Sequence, residues 1–201
     1  MGRDPSAIDT LKKFYSDRLA VVSEEELVAD LESANDRSVV ITLTALAEDA
    51  VEWAIGKRLR GLTRNEYTSA FDGDGPYSTL ARKIIVGYAM GIFDSKLRDQ
   101  LNDLRSIRNA CAHTKRPISF EAPQLANATK RLFHPNGRFA PKDDTTEALR
   151  ETFKGEVAFM MSAIAVGRQE AERGIQERYR LDQIKRAVAE SRARPAASIA
   201  E

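Results

Sequence analysis

The chain has 201 residues, 42% of them hydrophobic and 30% charged, with a formal net charge of +1. This excludes a disordered chain, leaves room for one domain with a real core rather than two, and gives no general pull toward nucleic acid, although a local basic patch is compatible with it. The single cysteine, Cys111, excludes an intrachain disulfide; with no apolar signal region at the N-terminus and no long apolar span, a cytoplasmic protein is expected.

Helical periodicity dominates, and no period-two strand pattern competes with it. Asp4 and Pro5 open a first helix, with Ile8, Leu11, Phe14 and Leu19 at helical spacing. Ser23 and Glu26 form a capping box ahead of Leu27, Val28 and Leu31. Asn35 or Asp36 caps the longest early helix, predicted to reach about Leu59. Its broad apolar face, from Val39 and Val40 through Leu43, Ala47 and Val51 to Ala54, predicts a central position, and Trp53 reads as packing. Three acids, Glu48, Asp49 and Glu52, sit on its flank.

Thr63 to Ala70 predicts a short helix, and Asp72-Gly73-Asp74-Gly75-Pro76 a turn. That turn has a superficial likeness to a calcium loop, but Lys83 stands where a bidentate glutamate is required, so a plain turn is the better reading. Ser78 caps a helix to about Ile92, in which Gly87 and Gly91 predict a close helix crossing. Asp94 or Ser95 opens the next helix, which ends near His113, ahead of Pro117. Ile118-Ser119-Phe120 reads as an extended connector, 121–132 as a helix, and 133–142 as a loop holding His134. Asp144 or Thr145 caps a long helical stretch with Leu149, Phe153, Val157, Met160, Met161, Ile164 and Ala165; past Gly167 it turns polar and mixed in charge. The expected fold is all-α, a single-domain multi-helix bundle with a long C-terminal helical region. Its expected parts are N-terminal helices over 1–34, a helical core over 35–135, a C-terminal region over 143–192 packing on that core, and a frayed tail over 193–201.

The helix carrying Arg108-Asn109-Ala110-Cys111-Ala112-His113 holds the residues most suggestive of function. Leu97, Leu101, Leu104, Ile107 and Cys111 form a core stripe at steps of four, three, three and four, which makes Cys111 a core residue rather than a nucleophile. At about 100° per residue, Arg108 falls about 40° from the centre of that stripe. A guanidinium cannot shed its proton, so one drawn inward needs a counter-charge or a wet cleft. Glu48, Asp49 and Glu52 are the candidate partners. His113, about 140° round from Arg108, is placed to favour the negative end of the helix. Lys57, Arg58, Arg60 and Arg64 read as cations complementing a helix end. No phosphate-cradling glycine loop, Cys/His metal set or Ser-His-Asp arrangement occurs, so neither cofactor nor metal is expected.

Two resemblances rest on these residues. Arg108, Asn109 and His113 match the Arg-x(4–6)-His signature of HEPN domains, all-helical modules that often act as metal-independent ribonucleases. That resemblance implies paired subunits and three catalytic residues. His113 would move the 2′-hydroxyl proton, Arg108 would stabilise the charged transition state, and Asn109 is the polar residue typical beside it. Lys115 stands where the antitoxin-linked branch carries tyrosine. The second resemblance is wider, over roughly residues 35–122. Asp36-Arg37-Ser38-Val39-Val40-Ile41, Tyr77 to Ile84, Gly87 to Ile92, Leu104 to His113, and Ile118-Ser119-Phe120 resemble, in order and spacing, the core of the mannitol operon repressor (MtlR) family. It implies a negative regulator of transcription that works through protein contacts rather than direct DNA binding, is not an enzyme, and forms a homodimer. RNA is a partner only under the ribonuclease reading. The segment 145–192 departs from the family pattern. Under the regulator reading Arg108 and Asn109 hold the core together, and losing Arg108 costs on the order of 3–5 kcal/mol if its ion pair is buried.

Overall fold

The computed structural model describes residues 24–59, 61–132, 143 and 145–167. α1 (Glu24–Ser33) leads directly into α2 (Asp36–Gly56), which starts where Asn35 accepts a hydrogen bond from Ser38 N at 3.0 Å. Thr63 and Glu66 complete a capping box for α3 (Arg64–Phe71), Thr79 opens α4 (Leu80–Ala89), and Asp94 opens α5 (Ser95–His113). α6 (Pro123–Leu132) follows a short irregular connector, and α7, over residues 146–167, begins at Thr145, whose hydroxyl accepts from Ala148 N. No strand occurs among the described residues, and the all-α bundle is as the periodicity predicts.

α2 packs against both α4 and α5, which also pack on each other, while α6 lies on α5. Burial follows the sequence stripes. Val39, Val40, Ala47, Val51 and Ala54 of α2 and the whole α5 stripe from Leu97 to Cys111 are buried. α7 adds Leu149, Phe153, Val157, Met160 and Ile164, with the Phe153 ring 5.6 Å from that of Phe120.

The boundaries differ from expectation for local reasons. α2 stops at Gly56 rather than near Leu59, because the chain tightens there into a turn in which Arg58 N donates to Ile55 O at 2.8 Å. α4 stops at Ala89 because Gly91 adopts φ +65°, a conformation only glycine takes cheaply. Gly91 therefore ends a helix, and the close crossing belongs to Gly87 alone, whose added Cβ would be 2.7 Å from Phe93 and 3.7 Å from Val51. Trp53 does not pack inside. It is 43% exposed, with the Lys57 ammonium 6.0 Å from its ring, because Ile41, Ala45, Asp49 and Trp53 share the outward row of α2. Val28 is likewise 47% exposed. The helix expected from Asp4 and Pro5, the loop with His134, and everything past Gly167 lie outside the described residues.

Candidate functional site

Among the described residues, two buried-charge clusters tie helices together, and Arg108 touches the rim of one of them. The first lies where α1, α2 and α7 meet. Asp36, buried in the first turn of α2, accepts from Phe120 N at 2.9 Å and pairs with Arg150 Nη1 at 2.5 Å. Arg150 Nη2 also donates to Leu31 O and Ala34 O, at 2.8 and 2.6 Å. One guanidinium thus satisfies a carboxylate and two carbonyls at the end of α1, a placement that helix termini favour for cations.

The second cluster lies at the junction of α2, α4 and α5. Lys83, on the inner face of α4 and only 4% exposed, places Nζ 2.9 Å from Glu48 Oε1 and 2.6 Å from Glu52 Oε2. Tyr67 of α3 donates to Glu52 Oε1 at 3.3 Å. Burial alone pulls the Lys83 pKa down, but hydrogen bonds and charge from Glu52 and Glu48 outweigh it and hold the ammonium above its ordinary value. Lys83 is therefore charged at neutral pH, and it clamps α4 onto α2.

Arg108 meets this cluster only at its edge. Its Nη2 is 3.7 Å from Glu48 Oε2, its Nη1 donates to Asn109 Oδ1 at 3.1 Å, and the side chain is 37% exposed. The structure thus brings Arg108, Asn109, Glu48 and Glu52 together around Lys83. Asp49 is exposed in the outward row of α2, with Ile41, Ala45 and Trp53, rather than turned toward the Lys83 cluster. His113 is exposed on the last residue of α5. The carbonyls past that helix end are taken by another cation: Arg37 Nη2 donates to Thr114 O at 3.0 Å and Arg116 O at 2.7 Å. Cys111 is fully buried, and burial raises its thiol pKa, only partly offset by the Arg37 charge. In the basic group after α2, Arg58 Nη1 reaches Met90 O at 2.7 Å and so caps α4 rather than its own helix; Arg60 lies outside the described residues.

The pairing roles of Lys83, Arg37 and Arg150 are not read from the sequence pattern, where Lys83 enters only as the residue that breaks the calcium-loop motif. Lys83 did carry a signal, since it falls between Leu80, Ile84 and Gly87 on the buried side of α4. No group of three or more His, Cys, Asp or Glu able to hold a metal occurs among the described residues. No helix among them is long and apolar enough to cross a membrane. A shallow cleft of about 520 Å³ lies apart from Arg108, lined by Asp74, Pro76, Arg82, Ile85 and Val86.

No protein-family profile matches the sequence, and no curated protein matches it. The fold, however, is similar to a solved one. It superposes on a chain of the X-ray structure of the MtlR–HPr complex from Escherichia coli with a TM-score of 0.57 and 20% sequence identity, covering 70% of this chain and 97% of that chain. The present chain thus contains nearly the whole of that fold.

Proposed function

We propose that this chain is an MtlR-like negative regulator of transcription that acts by binding another protein rather than by gripping DNA or turning over a substrate. The supporting observation is the fold likeness to a chain solved in complex with a protein partner, over 97% of that chain. The balanced net charge of +1 agrees with it, since direct DNA binding favours a strongly basic domain. HPr, the partner in the similar structure, is the first protein to try, and a homodimer is the expected assembly.

Titration of the purified chain with HPr from its own organism, followed by calorimetry, tests this reading. A saturable complex is expected.

A HEPN-type ribonuclease is the second reading, supported by the half-exposed Arg108 and exposed His113 at one end of α5. Five residues apart, they point about 140° from each other, so a shared cleft would need a second copy. Metal-free incubation with mixed RNA decides between the two. No cleavage is expected from the wild type. Cleavage that His113→Ala abolishes would overturn the regulator reading.

A further inference from the structure

Two tie points fix how α2 and α5 run past each other. Arg37, at the start of α2, reaches Thr114 O and Arg116 O, and Glu48, three turns further on, reaches Arg108. The helices are therefore antiparallel, and the outward residues between the tie points are neighbours. On α2 these are Ile41 and Ala45, both exposed, one and two turns past Arg37. On α5 Ala112, exposed, lies between the tie points, Arg108, half-buried, forms one of them, and Arg105, half-buried, sits one turn beyond it on the same flank.

The charge of this face is one-sided. No Asp or Glu occurs from Leu104 to Phe120, a segment that carries Arg105, Arg108, Lys115 and Arg116 as well as His113. Of the acids of α2, Asp36 is buried on Arg150, Glu52 is buried on Lys83, Glu48 divides its two oxygens between Lys83 at 2.9 Å and Arg108 at 3.7 Å, and Asp49 is exposed one turn past Ala45. Arg105 Nε is buried with no hydrogen-bond partner among the described residues, and Arg108 spends only part of its donor fork on Asn109 and Glu48. Pre-oriented guanidiniums around a small aliphatic centre are the arrangement that anchors protein interfaces.

We propose that this α2–α5 face docks an acidic segment of a partner protein. Carboxylates would meet Arg105, Arg108 and the Lys115–Arg116 pair, and an apolar side chain would lie over Ile41, Ala45 and Ala112. RNA fits less well. The centre of the face is aliphatic where base stacking needs a ring, and the exposed ring further along the α2 row, Trp53, lies past the carboxylate of Asp49. The inference rests on the protein-contact reading and adds the chemistry of the partner.

The test uses the full chain and two fluorescent 14-residue helical peptides, one with a leucine stripe flanked by glutamates, the other with every glutamate replaced by glutamine. By anisotropy, the glutamate peptide should bind, with the glutamine peptide at least tenfold weaker. Arg105→Glu with Arg108→Glu should weaken glutamate-peptide binding at least tenfold. Because Arg108 borders the Lys83 cluster, Lys115→Glu with Arg116→Glu, both exposed, serves as a second pair expected to weaken binding with an unchanged melting curve. Equal binding of the two peptides, or binding indifferent to both charge reversals, overturns the proposal. So does tighter binding of a 12-nucleotide single-stranded RNA to the same arginines, or a dimer that Ile41→Asp dissociates. HPr binding that survives both charge reversals would remove this face while leaving the protein-contact reading intact.

Discussion

The two ion clusters of this bundle use the same residue types and do different things. At Asp36, one arginine is 13% exposed by side chain, bonded to a carboxylate and two main-chain carbonyls, with a backbone N–H on the carboxylate's other oxygen. At Glu48, a lysine does the clamping, and the arginine stands outside, 3.7 Å from the nearer oxygen and 37% exposed. Arg150 is locked into the architecture. Arg108 is oriented by it and left facing solvent. A guanidinium that the fold holds but does not need is available for contact with something else.

Mutations should separate these roles. Arg150→Ala should have the largest effect. It strands the Asp36 carboxylate in a buried site and frees two carbonyls, which should cost ~3–5 kcal/mol in urea unfolding. Lys83→Met should cost almost as much, on the order of 3 kcal/mol, because Glu48 and Glu52 are left facing each other, with the Arg108 guanidinium no nearer than the rim. Its pH dependence sharpens the point. The Lys83 pKa is raised in the folded state, so its stabilisation is complete below the unfolded value of roughly 10.4 and is lost as pH rises through the higher folded value. The stability gap between wild type and Lys83→Met should therefore be constant through neutral pH and shrink only in strong alkali. A gap that closed below pH 9 would place the ammonium outside the clamp.

The smallest expected effect has the opposite sign. Glu156, on the buried side of α7, has its pKa raised by burial, only partly offset by the charge of Lys96. A carboxyl with a folded pKa above its unfolded one costs stability when ionised, and that cost is relieved as pH falls from the folded value toward the unfolded one. Glu156→Gln should therefore unfold at a slightly higher temperature than wild type at pH 7, with the difference vanishing near pH 4. A lower melting temperature at pH 7 would show that the carboxylate has a partner.

Most of the fold was legible because local signals agreed. The stripe from Leu97 to Cys111 has one helical period and is buried throughout, and Asn35, Thr63 and Asp94 open helices by ordinary capping. Trp53 departs from expectation because its row, continuing from Ile41, points out, and size and apolarity alone do not fix a helix face. The site was half legible. Helical phase did bring Arg108 toward Glu48 and Glu52, but about 40° of offset and a long side chain suffice for a guanidinium to reach the rim. The buried cation was instead Lys83, visible as a charge on the apolar face of α4 once that face is drawn. The Asp36–Arg150 pair could not have been read at all, since 114 residues separate its partners and no local pattern links them.

Arg108→Ala and Arg150→Ala, compared side by side by urea denaturation at pH 7, test the difference between the two clusters most directly. With a half-exposed, loosely paired side chain, Arg108→Ala should stay within about 1 kcal/mol of wild type, against the several kcal/mol lost at Arg150. Equal losses at the two positions would make Arg108 part of the framework and contradict its assignment to contact.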